Sequence, residues 1–177
     1  MRKIKLYIAS SIDGYIASLD GDLDWLTEFP NPQQLDYGYK DFFESIDTVI
    51  MGGKTYRDIL AMDVVWPYKD KETYIVTRHA GSKTEPNIHF LNENIIETIS
   101  ELKSKQGKDI WLVGGGELVS MFLNSDIIDN MIITYIPIIL GDGIPLFPKM
   151  KKESQWQLLN SQSYNNGVLC IDYQKIK

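Results

Sequence analysis

The sequence predicts an α/β domain built on a mixed, mostly parallel sheet flanked by helices and ending in a C-terminal β-hairpin. Three observations predict it. Short apolar strand segments alternate with helical segments along the chain. Two of those strands run straight into glycine turns that open helices, at Gly52-Gly53 and at Gly114-Gly115-Gly116. The last two strand segments meet at Asn165-Asn166-Gly167, a strong hairpin signal. Strand-helix alternation favours parallel pairing, because a parallel pair needs a long crossover, whereas a hairpin adds antiparallel strands at one side.

In order, residues 3–10 alternate charged and apolar and then turn continuously apolar, a strand entering a core. Turns follow at Asp13-Gly14 and Asp20-Gly21-Asp22. Across residues 33–46, Leu35, Tyr39, Phe42, Phe43 and Ile46 recur at helical spacing and predict an amphipathic helix. Residues 47–51 read as a short strand, followed by a helix to about Met62. Residues 73–77 form another strand before the turn-rich stretch 80–87, and Asn94 with Glu97 predicts a capped helix start. Residues 109–113 are a third buried strand, with a helix from Glu117 to Leu123. Residues 131–140 are β-branched and predict a central strand, against which Pro137 argues for a bulge or a free side. Residues 156–164 and 168–176 are the two arms of the hairpin.

Length and charge bound the function. The 177 residues suit one domain spanning 1–177. The net charge of −6 is spread along the chain and leaves no basic face, which argues against nucleic acid as a partner. The opening Arg2, Lys3 and Lys5 alternate with Ile4, Leu6 and Ile8, too polar a pattern for a signal peptide. No apolar run reaches membrane-spanning length, so a cytoplasmic protein without a membrane partner is expected. The single cysteine, Cys170, can form no intramolecular disulfide and reads as a small core residue. His79 and His89 do not sit in a metal-ligand pattern, so no metal is expected.

The chemistry concentrates at the glycines. Three successive glycines at a strand-to-helix turn expose backbone N–H groups at a helix N-terminus, where the helix dipole favours an anion such as a pyrophosphate. A purely structural tight turn is the competing reading. The stretch departs from the dinucleotide fingerprint G-x-G-x-x-G because Val119 replaces the third glycine. Gly53-Lys54-Thr55 resembles the end of a P-loop, but Thr48 stands where its first glycine belongs, so ATP hydrolysis has no support. Gly52, Lys54 and Thr55 still make a second phosphate-suited helix start, and Arg78 after Thr77 adds a guanidinium suited to phosphate.

Taken together, these segments resemble the dihydrofolate reductase superfamily. The nearest likeness is to its bacterial branch similar to the C-terminal reductase domain of riboflavin biosynthesis proteins. The resemblance runs in order through residues 8–17, 24–26, 48–56, 75–78, 110–116 and 137–147. It implies NADPH held across the sheet, with Ala9 and Ile16 beside the nicotinamide and Gly52, Lys54 and Thr55 near the phosphates. Thr77 and Arg78 match the adenosine 2′-phosphate site, and Val113, Gly114, Gly115, Gly116, Glu117 and Leu118 the pyrophosphate turn. The implied activity is hydride transfer from NADPH to a small heterocyclic or imine-type substrate, most similar to 5-amino-6-(5-phosphoribosylamino)uracil reductase. Dihydrofolate reduction and non-catalytic NADPH binding are the alternatives. Residues 58–67 lack the Asp-Pro-containing segment of the riboflavin-pathway reductases, and Lys71 falls where folate enzymes place an arginine. Asp36 is the expected catalytic residue, orienting the substrate or supplying protons, and Asp13, Trp25, Tyr39 and Phe43 the expected substrate-binding residues. The resemblance also implies a homodimer.

Overall fold

The computed structural model describes residues 1–79, 86–148 and 150–176. Of the turn-rich stretch 80–87, residues 80–85 therefore lie outside the described residues. The strands are β1 (Ile4–Ser11), β2 (Tyr15–Ala17), β3 (Ile46–Gly52), β4 (Glu72–Val76), β5 (Ile88–Leu91), β6 (Asp109–Gly114), β7 (Asn130–Ile136), β8 (Ile144–Pro145), β9 (Trp156–Ser163) and β10 (Leu169–Lys175). The helices are α1 (Asp24–Thr27), α2 (Tyr39–Glu44), α3 (Gly53–Ala61), α4 (Ile95–Ser104) and α5 (Gly116–Asn124).

Eight strands form one sheet in the order β5-β4-β3-β6-β1-β7-β10-β9, and β2 pairs with β8 apart from it. The six strands from β5 to β7 are mutually parallel, while β10 runs antiparallel to β7 and β9 to β10. This is the mixed, mostly parallel sheet flanked by helices and ending in a hairpin that the sequence predicts. Each face carries its own core. Ile4, Leu6, Ile110 and Leu112 bury one side against Ile99, Val119 and Phe122 of α4 and α5. Val49, Met51, Ile75 and Trp111 bury the other against Phe42 of α2, with Tyr7 and Tyr56 packed alongside.

Several sequence expectations need correction. The helix expected over residues 33–46 forms only at Tyr39–Glu44, because Gln34, Tyr37 and Gly38 adopt positive φ of 52°, 53° and 82°, which an α-helix excludes. Leu35 thus packs from a loop rather than from a helical stripe. The strand expected to reach residue 140 ends at Ile136, one residue before Pro137, which has no N–H to give a ladder. Asn94 makes no side-chain cap. It is left-handed (φ 49°), and its carbonyl accepts from the Thr98 amide at 2.9 Å. Strand β5, not anticipated, supplies the far edge of the parallel sheet. Cys170 is half-buried rather than a core residue, with its thiol 3.7 Å from the Thr134 hydroxyl.

Candidate active site

The strand order creates one crevice. From β1 the chain crosses past β6 to reach β3, and from β6 it crosses past β1 to reach β7. The carboxyl ends of β1 and β6 therefore mark a switch point, where open α/β sheets leave room for a ligand. Gly114 ends β6 there, and Gly52 ends β3 beside it, with Met51 in register with Gly114.

Gly52 and Gly115 are the N-caps of α3 and α5, and neither helix start carries a side-chain cap. The glycines of the second turn separate by what the fold demands of each. Gly114 has φ +127°, a left-handed value that favours glycine. A Cβ on Gly116 would come within 2.7 Å of the Pro145 carbonyl, so β8 packs where a side chain would stand. Gly115 meets neither demand. Its φ is −68°, and a Cβ there would find only the Thr55 hydroxyl at 3.9 Å. Gly52 is alike, with φ −76° and only the Gly114 carbonyl at 3.9 Å. Two uncapped helix N-termini thus lie side by side behind glycines that the packing leaves bare. Bare helix N-termini of this kind can hold an anion.

The flanking residues fall around these two helix starts. Ala9 lies near the carboxyl end of β1, and Ile16 on β2 packs against the α5-side core. Thr55 is half-buried, whereas Lys54 is exposed and ion-paired with Asp58 at 2.8 Å. Thr77 sits so close to Gly53 that a Cβ there would come within 2.7 Å of its hydroxyl, and Arg78 beyond it is exposed. Val113 packs into the α2-side core, and Glu117 is exposed in the first turn of α5. Leu118 is 5% exposed and belongs to the core, so only its backbone faces the turn, and its amide already donates to the Gly115 carbonyl.

The substrate-side candidates are placed differently. Asp36 precedes α2 rather than lying on it, and its carboxylate accepts from the Gly38 and Lys40 amides at 3.0 and 3.1 Å. Those bonds hold it below the usual carboxylate range. Asp36 thus caps the amides that lead into α2. Asp13 is also committed. It accepts from the Ser11 hydroxyl at 2.6 Å and from the Leu140 and Gly141 amides at 3.1 and 2.8 Å, and the Ser11 bond first, then the amides, lower its pKa. It clasps the β1–β2 turn to the loop after β7. Trp25 is half-buried on α1, and its indole N–H is buried without a partner among the described residues. Tyr39 and Phe43 come together at 5.6 Å on α2, and Tyr39 is 37% exposed. Lys71 donates to the Phe43 and Ile46 carbonyls at 3.0 and 2.7 Å and lies 4.3 Å over the Phe43 ring, closing the end of α2.

Sequence reasoning passed over Tyr7, Trp66 and Tyr68. Tyr7 stacks on Phe42 at 4.3 Å and meets Tyr39 at 6.0 Å, and its phenol donates to the Tyr37 carbonyl at 3.3 Å. Burial pushes its pKa up, so it stays a protonated donor at neutral pH. The period-two pattern of β1, which sets Tyr7 on the same face as Ala9, was the available signal. His89 bonds Glu72 at 2.7 Å, but no group of three metal-ligating residues occurs among the described residues. Nor is any described helix long and apolar enough to cross a membrane.

This chain belongs to the family defined by the RibD C-terminal domain, whose model matches residues 2–170. Its relatives include the uncharacterised Bacillus subtilis protein YwjB, 42% identical over 167 residues and 94% and 95% of the two chains. A Shewanella protein assigned to riboflavin biosynthesis superposes with a TM-score of 0.88 at 30% identity, over 99% of both chains. The Thermotoga maritima deaminase and 5-amino-6-(5-phosphoribosylamino)uracil reductase gives 0.74 at 16% identity, over 99% of this chain and 57% of its own. Enterococcus faecalis dihydrofolate reductase, complexed with NADP(H), gives 0.71 at 16% identity, over 99% and 97%. At that identity the last two show the shared fold alone. The family model and the 30%-identical superposition place the chain among RibD C-terminal domains.

Proposed function

We propose that this chain is an NADPH-dependent reductase that passes hydride to a small heterocyclic or imine-type acceptor. The observation that carries the reading is Gly115, a glycine at the mouth of an uncapped helix that neither φ nor packing requires. A bare backbone at the mouth of a helix is suited to an anion that approaches it closely. The NADP(H) bound by the Enterococcus relative and the reductase activity named for the Thermotoga relative support the same assignment.

The amides opening α3 and α5, with Thr55 between them, would hold the pyrophosphate. Thr77 and Arg78 would meet the 2′-phosphate, and Ala9 and Ile16 would flank the nicotinamide. Lys54 would contribute once released from Asp58, an exposed pair that water already weakens. Bound NADPH supplies the two-electron hydride, and one proton completes the reduction. The protein's share is orientation and exclusion of water. Asp36, whose carboxylate is held ionised by two amides, does not fit the proton-donor role, so the proton would come from water. We read the partner as a small molecule and the assembly as a homodimer, which sedimentation velocity would check.

The test is a titration of wild type and Gly115→Val with NADPH, followed by an acceptor screen read as loss of NADPH absorbance. A variant that folds and still binds NADPH as wild type does would sink the assignment.

A further inference from the structure

The mouth of α3 holds an arginine that sequence reasoning passed over. Arg57 is exposed and lies one turn after Gly53. Helical side chains tilt toward the amino end of their helix, so Arg57 leans back over Gly53. A Cβ on Gly53 would stand 2.7 Å from the Thr77 hydroxyl and 3.3 Å from Nη1 of Arg57. Gly53 has no positive φ, so it is bare for want of space and not for its backbone. Its missing side chain lets the end of β4 and the Arg57 guanidinium converge on the first turn of α3.

Charge is unbalanced where they converge. A cation near the amino end of a helix faces the positive end of the macrodipole, which is unfavourable unless an anion joins it. No carboxylate does so. The neighbouring Asp58 pairs with Lys54, and neither Arg57 nor Arg78 has an ion-pair partner among the described residues. In a chain with 24 acidic and 18 basic residues, two arginines left unpaired about one threonine are a local exception. The Thr77 hydroxyl accepts from the His79 amide at 3.2 Å, which leaves its own proton to give. Guanidinium groups and a free hydroxyl proton are donors that match phosphate oxygens.

We infer that Arg57 is a specificity-determining residue, which joins Thr77 and Arg78 in gripping the adenosine 2′-phosphate of NADPH. This rests on the NADPH reading for the identity of the ligand, while the donors themselves require only a phosphomonoester. The two arginines come from different elements, Arg57 from α3 and Arg78 from the end of β4, so the preference for a phosphorylated ribose is shared between them.

The experiment is calorimetric titration of the full chain with adenosine 2′,5′-bisphosphate and with AMP, and the ratio of the two affinities is the reading. Wild type should favour the bisphosphate. Arg57→Gln, an exposed change that removes the charge, should cut that preference by about tenfold, the loss of one charged hydrogen bond. AMP affinity should stay at the wild-type value, with circular dichroism melting confirming the fold. Arg57→Lys should restore part of the preference, because an ammonium keeps the charge without the fork. Equal wild-type affinity for the two nucleotides, no binding of the bisphosphate, or an unchanged ratio in Arg57→Gln would overturn the inference. Failure of wild type to bind either NADPH or NADH would instead remove the reductase reading, and a bisphosphate preference lost in Arg57→Gln would leave the phosphate site standing.

Discussion

The Thr55 hydroxyl lies 3.9 Å from where a Cβ on Gly115 would stand, so the first helical turn of α3 faces the glycine turn that ends β6 across an open gap. Gly115→Ala should therefore fold with little loss, its methyl in ordinary contact, while its NADPH affinity drops. Gly116→Ala should do the reverse. Its methyl would be forced to within 2.7 Å of the Pro145 carbonyl, and overpacking of that kind costs about 1–3 kcal/mol. Melting temperature and NADPH titration on the two variants should separate cleanly, and equal behaviour in both assays would refute this division of the glycines.

Arg78 sits exposed directly after Thr77, beyond the end of β4, where a rigid strand can aim it. A hydrogen bond to a charged group contributes roughly 1.5–3 kcal/mol, so Arg78→Ala should weaken NADPH by about tenfold to a hundredfold and leave NADH nearly unchanged. The ratio of the two affinities is the measurement. A large effect at Lys54 with a small one at Arg78 would move the contact, and no change in the ratio at either would remove the 2′-phosphate site.

Asp36 should behave as a cap. Asp36→Ala loses acceptors for two amides and should cost about 1 kcal/mol, whereas Asp36→Asn keeps an acceptor and should cost little. Because its folded pKa is depressed, the stabilisation is present above the unfolded carboxylate pKa and is lost as pH falls through the folded value. The stability difference between wild type and Asp36→Ala should thus shrink in acid. A turnover defect in Asp36→Asn at unchanged stability would restore a catalytic role.

Lys71→Met should destabilise the end of α2, since the Phe43 and Ile46 carbonyls lose their charged donor, by about 1–2 kcal/mol. NADPH binding should be unaffected. A melting temperature equal to that of wild type would show that water replaces the ammonium.

The parallel core was legible because its strands are continuous apolar runs ending in glycine, and β1, β3 and β6 lie where those runs placed them. The glycine turns that open α3 and α5 were legible for the same reason. The substrate side was not. The stripe of Leu35, Tyr39 and Phe43 fits a helical period, yet Tyr37 and Gly38 turn left-handed between its members, and no spacing reveals that. Asp36 looked like a helix carboxylate only while the helix was thought to include it. The ring contacts that lead from Tyr7 through Tyr39, Phe43 and Tyr68 to Trp66 join distant parts of the chain, a proximity made by the fold and invisible in local pattern.

The place of β1 in the sheet governs how the chain can assemble. Its ladder partners are β6 and β7, and Ile4 lies against Ile110, 106 residues later. During synthesis β1 has no ladder neighbour until β6 has followed it. By then β3 and β4 can already be joined, and β6 must enter between β3 and β1 to close the sheet. Such long-range closure slows folding and leaves apolar strand edges open meanwhile. Nascent chains that stop short of β6 should therefore be the aggregation-prone and protease-sensitive species.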